Sequence, residues 1–147
     1  MVEVREIAPG RTLDGADALL ALRPRWQTPA ALVAFVDSQL RPSGYRMVGA
    51  FEDDATSASS VLGFRETRCT AWGHYVYVDD LSTVPAARGR GHADALLRWV
   101  VSEARRLGGE AVHLDSGVGA HRAAAHRLYM RHHFEITSHH FSVELER

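Results

Sequence analysis

The stretch that most constrains the fold is Val84-Pro85-Ala86-Ala87-Arg88-Gly89-Arg90-Gly91-His92-Ala93, which joins a strand to the strongest helix in the chain. In that helix Ala93, Leu96, Leu97, Val100, Val101, Ala104 and Leu107 form one apolar stripe, with Asp94, Arg98, Ser102 and Arg105 off it. Gly108 and Gly109 supply the left-handed residue that ends it. At the other end, glycines let the backbone approach a ligand closely, and the first N–H groups of a helix have no intrahelical partner. With the helix dipole they make a site for a phosphate or pyrophosphate, to which Arg88 and Arg90 add positive charge.

The rest of the chain supplies a sheet for this junction. Val2 to Ile7 alternates apolar and charged residues, as a half-buried strand does. A helix is predicted over Leu13 to Leu22, stopping at Pro24. Thr28 is an N-cap before Pro29, and Leu32, Phe35, Val36 and Leu40 follow at helical spacing. Tyr45 to Phe51, Val61 to Cys69 and His74 to Val84 read as strands with short connections, hence an antiparallel meander. Ala111 to Leu114 is a short strand, parallel to its predecessor by the right-handed crossover rule. A helix over Ala120 to His132 and a strand over Phe134 to Leu145 close the chain. The expectation is one α/β (α+β) domain over residues 1–147, its sheet mixed and mainly antiparallel with one late parallel strand-helix-strand crossover. No linker or internal repeat divides it.

Composition removes several classes. A net charge of -1 gives no global attraction to nucleic acid or to an anionic membrane. No basic stripe interleaves Trp26, Trp72 and Trp99 as a stacking platform would need. No run approaches the roughly 20 apolar residues that span a bilayer. The first ten residues lack the apolar core of a signal peptide, and a single cysteine, Cys69, suits a reducing cytosol. A cytoplasmic location is expected. The nine histidines show no ligand spacing, so no metal is expected. A nucleoside-triphosphate loop would need Gly-Lys followed by Ser or Thr, which is absent. A dinucleotide fingerprint would need its third glycine where Asp94 stands, and would follow the first strand rather than the fourth.

The junction resembles the pyrophosphate motif of the GNAT superfamily of N-acetyltransferases: Arg or Gln, two residues, Gly, one residue, then Gly or Ala. Arg88, Gly91 and Ala93 match it in register. Leu128-Tyr129 and Phe134 fit a second signature, and the order of elements fits over nearly the whole chain. Leu114 to Val118 and Ala125 to Tyr129 also look like small bacterial members. The resemblance implies a sheet with helices on both faces and acetyl-CoA as cosubstrate. It implies that the amides of Arg88, Gly89, Arg90, Gly91, His92 and Ala93 hold the coenzyme pyrophosphate. Leu81, Ser82, Thr83 and Val84 would pair with the pantetheine arm, and Tyr129 would protonate the leaving thiolate. The acceptor would be a primary amine of a small molecule or peptide. The chain departs from the pattern at Arg122, where many members have asparagine, and at His133, which replaces a glycine.

The chemistry needs an amine that has lost a proton from a pKa near 10.4, donors for an oxyanion, and an acid for the thiolate. Strand amides near Leu81 supply the donors and a phenol of pKa about 10 the acid. As base, Asp79 and Asp80 stand side by side on the fourth strand, one expected on each face, with Glu66, His74 and His113 as rivals. Two segments are expected to choose the acceptor, Arg23 to Gly44 and Ser138 to Val143; Arg23, Arg25 and Arg41 lie in the first and would suit a carboxylate-bearing one. A non-catalytic acyl-CoA-binding sensor is the alternative reading, which Tyr129 disfavours. Whether the chain forms a homodimer is left open.

Overall fold

The computed structural model describes residues 1–146. They form two compact units, Met1–Leu114 and a smaller one beginning at Asp115.

The first unit is a five-stranded sheet in the order β1-β2-β3-β4-β5. Strands β1 (Val2–Ile7), β2 (Tyr45–Glu52), β3 (Ser60–Cys69) and β4 (Gly73–Thr83) pair antiparallel in series. Strand β5 (Ala111–Leu114) pairs parallel with β4 after a helical crossover. The sheet is therefore mixed and mainly antiparallel, as the patterning predicts.

Helices cover both faces. Helix α1 (Ala16–Leu22) and helix α2 (Pro29–Phe35) pack Leu19 and Leu32 with Ile7, Tyr45, Met47, Phe51 and Val61 in one apolar cluster. Residues of the opposite parity, such as Phe64, point the other way, toward α3 (His92–Arg106), where Phe64 meets Trp99 edge-on at 5.7 Å. Leu96, Leu97 and Val100 of the predicted stripe are completely buried. The helix ends as expected: Gly108 has φ +82°, Gly108 N–H donates to Arg105 and Gly109 N–H to Ala104.

Some boundaries differ. The first predicted helix opens with a 3-10 turn at Thr12–Gly15. Thr28 caps α2 through a hydrogen bond from the Ala31 N–H, and the helix runs on into a π turn at Val36–Leu40. In the second unit a 3-10 turn at Ala120–Arg122 leads into α4 (Ala123–Arg131).

The closing strand expected over Phe134 to Leu145 does not form: after Phe134 no regular structure is present among the described residues. Its alternating Phe141, Val143 and Leu145 are exposed. A strand takes its hydrogen bonds from a neighbouring strand, and no strand pairs with this segment among the described residues.

Candidate active site

The parallel pairing of β4 with β5 covers only Tyr75 to Val78. Beyond it, from Asp79 to Thr83, β4 keeps β3 on one side and has no strand on the other among the described residues. The Val84 N–H donates toward β3, to the Ser59 carbonyl. Amides alternate in direction along an antiparallel strand, so those of Leu81 and Thr83 face the open edge. An extended amide-bearing chain could add there as a further strand.

Nine residues past Thr83 the same chain begins α3. Gly89 and Gly91 hold φ +78° and +82°, and Gly91 is the residue before the first turn. A Cβ built on either would meet nothing within 4 Å, so the space before the loop is open. Positive φ and open space together fit a pyrophosphate drawn onto free amides. The charge differs from the sequence reading in one respect. Arg90 donates to both Glu52 oxygens at 3.0 and 2.7 Å, whereas Arg88 has no partner among the described residues. The buried His92 ring also reaches Glu52, at 2.6 Å. That hydrogen bond, with the Arg90 guanidinium behind it, holds the Glu52 carboxyl below its ordinary range. Glu52 therefore fastens both loop and helix to the end of β2.

The carboxylates correct an expectation. Asp79 and Asp80 do not face opposite sides, because β4 bulges: Phe64 pairs with Val78 and Gly63 with Asp80, leaving Asp79 extra. Both side chains find partners on the α1/α2 face. Arg65, level with Tyr45 in the sheet, clamps Asp79 with two bonds of 2.8 and 2.9 Å. Tyr45 donates its buried hydroxyl to Asp80 at 2.8 Å, and Arg23 reaches the other Asp80 oxygen at 2.9 Å. Burial, and then the Asp80 charge, push the Tyr45 phenol well above its usual pKa, so it is a fixed donor. Gly63 is required beside it, since a Cβ there would lie 1.9 Å from the Tyr45 hydroxyl.

The rival bases are engaged elsewhere. His74 and Glu66 pair with each other at 2.7 Å. His113 stacks on Trp72, ring centroids 3.8 Å apart, and burial lowers its pKa. Of the three arginines, Arg41 is internal, donating to Thr12 and the Ile7 carbonyl, and Arg25 lies over the Trp26 ring. Of these three only Arg23 reaches a β4 carboxylate, that of Asp80, and its second bond goes to the main-chain carbonyl of Asp79. Among the described residues no group of three or more His, Cys, Asp or Glu side chains is placed to hold a metal. No helix among them is long and apolar enough to cross a membrane.

In the second unit Tyr129 lies buried on α4, and the end of that helix explains the Leu-Tyr…Phe spacing. Phe134 N–H donates to the Tyr129 carbonyl and His133 N–H to that of Met130, while His133 sits at φ +66°. This is a Schellman cap, and its hydrophobic closure is the edge-on contact of Phe134 with Tyr129 at 6.0 Å. Burial raises the Tyr129 pKa, against the opposing charge and hydrogen bond of Arg122. Arg122 also donates to Ser116.

A mixed sheet with a bulged, half-open fourth strand thus runs into a glycine-bearing helix start. The family model described as Acetyltransferase (GNAT) family matches residues 15–134, and the chain belongs to that family. No curated protein matches it in sequence. Among solved structures it is similar to aminoglycoside N-acetyltransferase AAC(6')-Iy in complex with CoA, at 14% identity and TM-score 0.80, over 100% of this chain and 96% of that one. It is similar to an integron cassette protein from the mobile metagenome of V. cholerae, at 15% identity and TM-score 0.79, over 99% and 93%. A ribosomal-protein-alanine N-acetyltransferase from Brucella melitensis biovar Abortus 2308 aligns at 17% identity and TM-score 0.71, over 100% and 99%. At these identities the likeness is one of fold.

Proposed function

We propose that this chain is a single-domain N-acetyltransferase that moves an acetyl group from acetyl-CoA to a primary amine of a small molecule or peptide. The observation that carries the reading is the open edge of β4 leading directly into the free amides of α3. Acetyl-CoA, when bound, supplies an activated acyl thioester. The amides of Leu81 and Thr83 hold its pantetheine arm as an added strand, with Ser82 and Val84 in the same segment. One outward amide is placed to donate to negative charge developing on the acetyl oxygen. Arg88 and the amides from Gly89 to Ala93 hold the pyrophosphate, with Arg90 and His92 stiffened by Glu52. Tyr129 is the acid for the departing sulfur, and its raised pKa keeps it protonated through the whole neutral range. Asp79 and Asp80 are the candidate bases, held by Arg65 and Arg23 respectively.

The test is thiol release from acetyl-CoA across a panel of primary amines, for the parent and Tyr129→Phe. The parent should release thiol only with amine and form the N-acetyl product. Its rate should fall on the alkaline side above pH 10, where Tyr129 loses its proton. Tyr129→Phe keeps the ring, so coenzyme affinity should hold while kcat drops by about 10²-fold and the alkaline fall disappears. Coenzyme binding without amine-dependent release would instead identify a sensor, and an unchanged kcat in a folded Phe variant would leave Tyr129 as packing.

A further inference from the structure

The Asp80 carboxylate has two unlike partners. On Oδ2 sits the Tyr45 hydroxyl, buried, notched into Gly63 and fixed by the bulge. On Oδ1 sits Arg23, which belongs to the end of α1 and not to the sheet. The Arg23 side chain is 45% exposed, whereas that of Asp80 is 11% exposed. Its second bond, 2.9 Å from Nη2, goes to the carbonyl of Asp79, the extra residue of the bulge. A bulged residue drops out of the ladder, so this carbonyl is available to an outside donor. A carboxylate oxygen and a carbonyl are thus presented side by side, with a half-exposed cation laid across them. These are the acceptors that a primary ammonium, with three hydrogen-bond donors, requires.

The two halves of the arrangement are built for different lifetimes. The Tyr45–Asp80 bond lies in the core, where breaking it leaves a buried hydroxyl unpaired. The Arg23–Asp80 pair is half in water, where such pairs contribute little and exchange readily. After Arg23 the chain turns through Pro24–Trp26, and Gln27 takes φ +68° before α2 begins.

We propose that Arg23 is a stand-in for the acceptor, its guanidinium occupying a seat formed by Asp80 Oδ1 and the Asp79 carbonyl into which the acceptor's ammonium exchanges. This deepens the acetyltransferase reading and rests on it: the preferred acceptors are amines that arrive as cations, and Arg23 sets the threshold they must beat. Tyr45 is the positioning residue that keeps Asp80 aimed when Arg23 leaves.

The experiment follows n-butylammonium binding to the full chain by the NMR shift of the Asp80 carboxyl carbon, a readout that needs no turnover. Arg23→Ala should tighten binding five- to tenfold, and Arg23→Lys should restore the parent value. Arg25→Ala makes the same change of charge two residues away and should leave binding as in the parent. Asp80→Asn in the Arg23→Ala background should abolish it, scored by the n-butylammonium resonances since the carboxyl probe is gone. Equal or weaker binding to Arg23→Ala, no binding to either protein, or binding that survives Asp80→Asn overturns the proposal. If the chain acetylates amines and Arg23→Ala leaves n-butylammonium binding unchanged, only the seat is wrong. If the chain acetylates no amine, the functional reading fails while the seat is judged by its own titration.

Discussion

His133 holds a left-handed backbone, φ +66°, at the residue before Phe134. Histidine tolerates that region better than most residues, but a Cβ there still costs on the order of 1 kcal/mol. The cap's hydrogen bonds are made by the backbone of His133 and Phe134, so a glycine would keep them. His133→Gly should therefore raise stability by about 1 kcal/mol, less the entropy glycine loses on folding, measured as a higher urea midpoint at unchanged slope. A lower midpoint would mean that the imidazole makes a contact of greater value than the strain. The same logic run forward made the loop before α3 legible in the sequence, because Gly89 and Gly91 advertise backbone that other residues avoid. Arg23 and Tyr45 carried no such signal. Their partner Asp80 is 57 and 35 residues away along the chain, and no local pattern joins them.

At the scale of elements, period-2 and period-3.6 patterning located the strands and α3 because burial on one face dictates it. Patterning missed the bulge, since that depends on Tyr45 from β2 filling the notch at Gly63 in β3. An isolated glycine inside a strand was the available hint. It also wrote a strand over Phe134 to Leu145 that no neighbour completes. Helix α3 is tied down at its far end by Glu103, which accepts from Arg106 and pairs with Arg46 of β2, itself bonded to Glu6 of β1. These hydrogen bonds, Arg106 first, hold the Glu103 carboxyl at about 2, below its ordinary 4.5. A depressed carboxyl stabilises the fold above the unfolded value and stops doing so as pH falls through the folded one. The contribution is on the order of 3 kcal/mol at most, less for the exposure of Arg106. Between pH 4.5 and 2 the parent should lose more stability than Glu103→Gln, the two converging at the acid end. Parallel denaturation profiles across that window would remove the tie from the account.

Taken whole, the molecule is close to neutral, with a net charge of -1, so its attraction for a multiply charged coenzyme has to come from one place. On the proposed reading that place is the first turn of α3 with Arg88, since the Arg90 charge is answered by Glu52. The measurement that bears most directly on this is calorimetric titration of coenzyme A into the parent and into Gly91→Glu. The substitution puts a carboxylate and bulk where the pyrophosphate belongs, into space that is open in the protein, so the fold should survive with a modest strain at φ +82°. The account predicts saturable binding to the parent and a loss of at least a hundredfold in the variant, with its unfolding transition still cooperative. Equal affinity in a folded Gly91→Glu protein would contradict it and place the coenzyme elsewhere.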